Sequence, residues 1–211
     1  MHIRNINTFM SEYEIKLKEK GFKAICGVDE VGLGPWAGPI AFGAVILPVE
    51  LIDFPFKDSK LLTAKKRENI YEELKDLIIW NVAIVSNTEL DKLGLALAKI
   101  LAFKRVILGL FAKPDIILID GRYIFKKEQK PKIPCEFIIN GDNKIKSISA
   151  ASIFAKVYRD RIMVKMHKKY PEYCFDKNKG YGTKEHLDAL KKYGICEIHR
   201  RSYRPIKKIC G

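Results

Sequence analysis

Three short apolar runs each lead into an acid, and that pattern restricts the fold more than any other feature of the 211-residue chain. Ala24-Ile25-Cys26-Gly27-Val28 meets Asp29-Glu30, Ile116-Ile117-Leu118-Ile119 meets Asp120, and Phe137-Ile138-Ile139 approaches Gly141-Asp142. Runs of this length read as buried strands. A carboxylate left inside such a run would be costly, so the acids mark strand C-terminal ends, where open sheets place their sites. A single acid there reads equally as a turn or a cap. Three together point to a centre where ionised carboxylates are kept side by side by a hard divalent cation, Mg²⁺ or Mn²⁺.

The remaining pattern supplies the other layers. A helix is expected over 8–20 with Thr8 as its cap, then the strand at 24–28, a glycine-rich turn at 32–38 and a strand at 40–47. Thr63 opens a helix to about 79, with Leu62, Ile70, Leu74 and Leu77 as its apolar stripe. A strand at 80–85, helices at 87–93 and 95–112, and strands at 115–119 and 135–139 follow. A long Ala/Ser-rich helix spans 145–170, Thr183 caps a helix to about 193, and the tail reads as irregular. The fold class is α/β, a mixed sheet flanked by helices. Three segments are expected: an N-terminal helix (1–22), a catalytic core (23–171) and a basic C-terminal helical extension (172–211) packed on the core as one domain.

Charge is concentrated at one end. The net charge is +14, and residues 143–211 carry 18 basic against 6 acidic side chains, nearly the whole excess. Lys165, Lys168 and Lys169 cluster there, as do Arg200, Arg201, Arg204, Lys207 and Lys208. Such a stretch is either a solvated face or a polyanion footprint. Basic surroundings around an acidic, metal-binding centre suit phosphodiester chemistry. A catalytically silent RNA-binding protein is the alternative reading of the same charge. A nuclease acting on DNA alone would share the acids but have no use for a 2′-hydroxyl. No apolar run reaches 18 residues, no signal-peptide stretch opens the chain, and the five cysteines form no CxxC. A cytoplasmic protein with reduced thiols, away from membranes, is therefore expected.

The turn Gly32-Leu33-Gly34-Pro35-Trp36-Ala37-Gly38 has neither the GxGxxG spacing nor a Walker A pattern. Its glycines let backbone amides approach a ligand closely. Together, Val28-Asp29-Glu30-Val31-Gly32-Leu33-Gly34-Pro35-Trp36-Ala37-Gly38-Pro39, Asp58-Ser59-Lys60, Leu118-Ile119-Asp120-Gly121, Gly141-Asp142, 149–160, Lys179-Gly180-Tyr181-Gly182-Thr183 and His199-Arg200-Arg201-Ser202-Tyr203 resemble, in order, the signature blocks of the ribonuclease HII (type 2 ribonuclease H) family. The resemblance spans about 24–208. The short segment before the first strand resembles type 2 and not type 3, which carries an N-terminal substrate-binding domain.

What the resemblance implies is specific. The fold would be ribonuclease H-like. The activity would be metal-dependent cutting of the RNA strand of RNA–DNA hybrids and nicking 5′ of single ribonucleotides in duplex DNA, leaving 3′-hydroxyl and 5′-phosphate ends. Asp29, Glu30, Asp120 and Asp142 would hold two divalent metals. The amides of Gly32, Leu33 and Gly34 would read the 2′-hydroxyl, Tyr181 would sense the substrate sugar, and Lys60 would lie near the scissile phosphate. A monomer is expected, with a sliding clamp as candidate protein partner. One departure stands out: Leu33 occupies the place of a family Arg. On the remaining polar residues, Lys156 and Arg159 are expected near the substrate, Asp160 as an Arg partner, and His199 either at phosphate or uninvolved.

Overall fold

The run from Ile25 continues as a strand, β1 (Ile25–Val31), through both acids, because its ladder with β2 (Ile40–Ile46) pairs Asp29 with Gly43, Glu30 with Phe42 and Val31 with Ala41. The acids thus stand in the strand's last turn of pleat, not beyond its end. The computed structural model describes residues 11–48, 62–122, 125, 129 and 131–210. With β3 (Ile79–Val85), β4 (Ile116–Asp120) and β5 (Cys135–Ile138), these strands form one sheet in the order β3-β2-β1-β4-β5. The first three are antiparallel, and β4 and β5 run parallel to β1. The sheet is mixed, flanked by helices on both faces.

Alternation along the strands sends side chains to two cores. Cys26, Val28, Phe42 and Ala44 pack with Leu90, Ala102, Phe103 and Val106 of α3 (Asn87–Leu108). On the other face, Val45 packs with Ala150, Ala151, Phe154 and Val157 of α5 (Lys146–Lys169) and with Ile70 and Leu74 of α2 (Ala64–Leu74). The small residues of α5 have a definite use. A Cβ on Gly27 would stand 2.1 Å from the Ser147 carbonyl carbon, and one on Gly43 2.2 Å from the Ala151 oxygen. Helix and sheet backbones therefore touch directly, which only glycine in the strands permits.

Helix α1 (Glu12–Glu19) starts from Ser11 through a reciprocal capping box with Glu14. Thr8, the expected cap, lies outside the described residues. Glu14 is only 1% exposed, and its carboxylate also accepts from the amides of Lys146 (3.2 Å) and Ser147 (3.1 Å). It thereby caps α5, whose own N-cap, Ile145, has no oxygen to offer.

Several boundaries move for identifiable reasons. Helix α2 stops at Leu74 because the chain must turn before Ile79 pairs with Ile46, and Leu77 consequently lies 59% exposed, outside the stripe. Helix α3 breaks at Gly94 (φ 72°), matching the two expected helices, but ends at Leu108. Asp142 falls in a short helix, α4 (Gly141–Lys144). Beyond α5, a 3₁₀ turn (Pro171–Tyr173), α6 (Phe175–Asn178), α7 (Lys184–Tyr193) and α8 (Arg204–Cys210) follow, so the tail is helical, not irregular. Tyr173, Phe175, Ala189, Leu190 and Ile206 of this region pack against Ala37 and Met163. Among the described residues, no helix is long and apolar enough to cross a membrane.

Candidate active site

The sheet brings the acids together through register. Val28 pairs with Ile119, so the next residues along the parallel strands, Asp29 and Asp120, are neighbours. Asp29 and Glu30, being consecutive, point to opposite faces. Ser152 of α5 hydrogen-bonds Asp29, whose Oδ1 also accepts from the Glu30 amide (2.7 Å). Glu30 is ion-paired with Lys99 of α3. Asp120 Oδ1 accepts from the Gly141 amide (2.6 Å), tying the start of α4 to the end of β4.

Asp29, Glu30 and Asp120 line one cavity of about 600 Å³ with Gly32, Leu33, Gly34, Arg67, Ser152, Lys156 and Tyr181. Asp142 is 2% exposed and is not among the residues lining it. Lys60 lies outside the described residues. Tyr181 is 45% exposed, with its Cε1 3.6 Å from where a Cβ would project from Gly34, so the ring stands over the glycine turn.

Burial pushes the Asp29 carboxyl up to about 7, reinforced by the nearby Asp120 and Glu30 charges and opposed by the Ser152 and Glu30 hydrogen bonds. Burial likewise raises Glu30, with Lys99 opposing it. Lys99 compensates Glu30, but among the described residues Asp29 has no compensating positive charge of its own beside Asp120 and Glu30. The donor set fits a hard divalent cation, which supplies that charge through oxygen ligands. Among the described residues, no three His, Cys, Asp or Glu side chains close into a cation cage. Mg²⁺ does not ask for one, since it is usually held by one or two carboxylates plus substrate phosphates and water.

Two fully buried arginines, missed as structural groups in the sequence, shape the turn. Arg200 donates through Nε to Gly38 O (2.8 Å), through Nη2 to Gly32 O (2.7 Å) and Pro39 O (3.0 Å), and through Nη1 to Leu33 O (3.2 Å). Arg159 donates to Pro39 O (2.9 Å) and Ala37 O (3.2 Å). In a trans peptide the N–H points opposite to the C=O. Holding the Gly32 and Leu33 carbonyls on Arg200 therefore turns the Leu33 and Gly34 amides away from it. Arg200 leaves the basic cluster as a phosphate contact, and Arg159 is not beside the substrate cavity; both are spent on backbone carbonyls. Lys165, Lys168, Lys169, Arg201, Arg204, Lys207 and Lys208 stay exposed. Lys156 does line the cavity, and Asp160 pairs with it (2.6 Å) instead of with an arginine. Lys99 had no sequence signal at all, whereas Ser152 sits within the Ala/Ser-rich block.

His199 is 1% exposed and bonded to His186, which excludes phosphate contact. Burial holds His199 down at about 4, with the neighbouring His186 adding to it. A histidine held below its ordinary 6.5 takes up its proton more readily in the unfolded chain, so its stability contribution is lost as pH falls from 6.5 through about 4. Over that window, wild type loses about 3 kcal/mol more than His199→Gln. Urea unfolding of both proteins across the range measures the difference; parallel curves would refute it.

The ribonuclease HII family profile matches residues 26–206. The chain belongs to the ribonuclease HII family. It is a divalent-metal-dependent endonuclease, a hydrolase that cuts the RNA strand of RNA–DNA hybrids, which removes the silent RNA-binding alternative. A ribonuclease HII from Caldicellulosiruptor saccharolyticus is 46% identical over 193 residues, covering 91% of this chain and 92% of that relative. The crystal structure of the ribonuclease H2 from Pyrococcus horikoshii superposes with a TM-score of 0.75 at 30% identity, covering 88% of this chain and 96% of that one. A ribonuclease HII from Archaeoglobus fulgidus, solved in complex with PCNA, shares the fold at 24% identity (TM-score 0.71, covering 89% of this chain and 97% of that one).

Proposed function

We propose that this ribonuclease HII nicks duplex DNA 5′ of a single embedded ribonucleotide, as well as cutting hybrids, by a two-metal hydrolysis leaving 3′-hydroxyl and 5′-phosphate. The observation that carries the proposal is the shared cavity: three carboxylates, the glycine turn and Tyr181 face one space. Asp29, Glu30, Asp120 and Asp142 would hold the metals, with Asp142 adjoining the Gly141 amide that bonds Asp120. Two divalent cations held there would supply charge stabilisation at the attacking and leaving oxygens of an in-line displacement.

The chain's own groups do the rest. The amides of Gly32, Leu33 and Gly34 read the ribose 2′-hydroxyl, which alone separates RNA from DNA at one nucleotide. Tyr181 packs its ring on the adjoining sugar and sets its hydroxyl as a hydrogen-bond partner near the 2′-hydroxyl, Lys156 and Arg67 offset phosphate charge from the cavity wall, and Lys60 adds a contact near the scissile phosphate. The enzyme is a monomer, the segment after α5 forms one domain with the core, and it works in the cytoplasm. A sliding clamp is proposed as partner on the ground of the PCNA-bound relative; gel filtration with and without a clamp tests that partner.

The deciding experiment compares three labelled duplexes, all-DNA, singly ribo-substituted and RNA–DNA hybrid, with Mg²⁺, Mn²⁺ or EDTA. Metal-dependent nicking 5′ of the lone ribonucleotide, with the all-DNA duplex intact, is the expected result. Cleavage confined to long hybrids would overturn the single-ribonucleotide reading. Leu33→Arg supplies a second test. The Leu33 side chain packs against the α3-side core, and an arginine there gains a phosphate contact at the cost of that packing. Substrate affinity rises by about 1.5–3 kcal/mol, or roughly 10- to 100-fold. Equal affinity by fluorescence anisotropy would show that no such contact forms.

A further inference from the structure

Behind the Tyr181 turn lie two buried histidines that the chemistry above leaves unused. His186 is fully buried and His199 is 1% exposed, with their Nε2 atoms 2.9 Å apart. The Tyr181 contact and the bond between the rings settle the tautomers. His186 Nδ1 lies 2.8 Å from the Tyr181 carbonyl oxygen, which can only accept, so that nitrogen carries the proton. In a neutral ring His186 Nε2 is then bare, so His199 Nε2–H must donate to it. His199 Nδ1 is left bare to accept from the Cys196 amide at 2.9 Å, the shortest of its contacts with Cys196, whose Sγ and carbonyl oxygen lie at 3.2 and 3.3 Å. The result is one directed chain, Cys196 N–H to His199 to His186 to Tyr181 C=O, with all four ring nitrogens used.

Ordinary core histidines have no need of such a relay. One end of the gap is a donor and the other an acceptor, and two neutral imidazoles of opposite tautomer bridge it with no group left over. The rings of Tyr173 and Phe175 wall it in, with centroids 5.0–6.2 Å from those of the histidines. The relay also reaches the glycine turn. His199 forms a backbone bridge with Ala37, and the Trp36 amide donates to Gly180 O (2.8 Å), just before Tyr181.

The geometry points to His186 and His199 as positioning residues that hold the Tyr181 turn against the glycine turn and so set recognition of the ribose. This inference rests on the reading of Tyr181 as the residue at the substrate sugar. The histidines touch neither substrate nor carboxylates. Their loss therefore weakens substrate engagement and leaves the chemical step alone, whereas general destabilisation lowers the active fraction and with it kcat.

Steady-state kinetics on a singly ribo-substituted duplex test this, with wild type, Tyr181→Phe, His199→Phe and His199→Gln. His199→Phe strips the donor to His186 and raises KM about tenfold, with kcat changed less than about twofold, as expected for one broken buried hydrogen bond. His199→Gln, whose amide N–H can reach His186 Nε2, restores KM to near wild type. If Tyr181→Phe leaves KM unchanged, the reading of Tyr181 at the sugar fails. If Tyr181→Phe raises KM but folded His199→Phe behaves as wild type, or loses kcat instead, the positioning role fails on its own. Should His199→Phe not fold, side-chain ¹⁵N spectra of the wild-type protein decide. They should show one Nδ1–H and one Nε2–H neutral imidazole; two rings of the same tautomer would overturn the relay.

Discussion

Asp120→Asn yields a folded protein that binds an RNA–DNA hybrid and hardly cuts it. The Asn oxygen still accepts from the Gly141 amide, so the link between β4 and α4 survives. What disappears is a negative charge in the cavity proposed to hold the metals, and with it transition-state stabilisation of several kcal/mol. Turnover falls by about 10³-fold or more while the hybrid's Kd stays near wild type. Asp29→Asn behaves alike in activity and differs in stability. Because burial and two neighbouring acids hold the Asp29 carboxyl near 7 in the fold, ionised Asp29 opposes folding. The folded state keeps its proton between 3.8 and about 7, where the unfolded chain has lost it, so metal-free stability falls as pH rises through that window. Asp29→Asn therefore melts above metal-free wild type in mildly alkaline buffer, and the gap closes on acidification. Single-turnover cleavage and thermal melts check both halves; residual wild-type cleavage by either variant would remove these acids from the chemistry.

The largest stability loss is expected at Arg200. Its guanidinium is completely buried and donates to four carbonyls of 32–39 and to the Tyr203 hydroxyl (3.0 Å). Arg200→Met fills much of the volume and strips that donor from the Gly32 and Gly38 carbonyls, while Pro39 O keeps Arg159 and Leu33 O keeps the Tyr203 hydroxyl, a loss of about 3–5 kcal/mol by analogy with broken buried charge networks. Arg200→Lys recovers little, since one ammonium cannot span a fork-shaped set of acceptors. The turn's amides lose their fixed aim at the same time, so embedded-ribonucleotide cleavage suffers beyond the fraction unfolded. Urea denaturation together with KM on the ribo-substituted duplex measures the two effects. A loss under about 1 kcal/mol would mean that water replaces the arginine in the turn.

Much of the framework is legible along the chain. The apolar runs at 24–28, 40–47, 80–85, 115–119 and 135–139 are the five strands, and Thr63, Thr183 and Gly94 punctuate helices where expected. Strand alternation and caps are written in nearest neighbours, so a local reading reaches them. Boundaries that depend on a partner were displaced. Helix α2 ends early because β3 must meet β2, and β1 runs on because β2 keeps pairing with it.

The side chains that gave the sequence its charge divided in a way no local pattern foretells. Asp29, Glu30 and Asp120 read as acids at strand ends, and their convergence follows from parallel register alone. Arg200 and Arg201 are adjacent in sequence and alike in type, yet Arg200 is sealed inside the turn's carbonyls and Arg201 is exposed. Lys99 meets Glu30 across 69 residues, and Glu14 caps a helix 132 residues away. By itself, the sequence determined the strands, the longer helices, the family and the acids at strand ends, because those depend on periodicity and residue type. Only the tertiary structure decided which cations stay in solvent, which are consumed by backbone carbonyls, and how two histidines are wired to Tyr181. Burial and partner geometry determine those outcomes, and both arise only once distant segments are packed together.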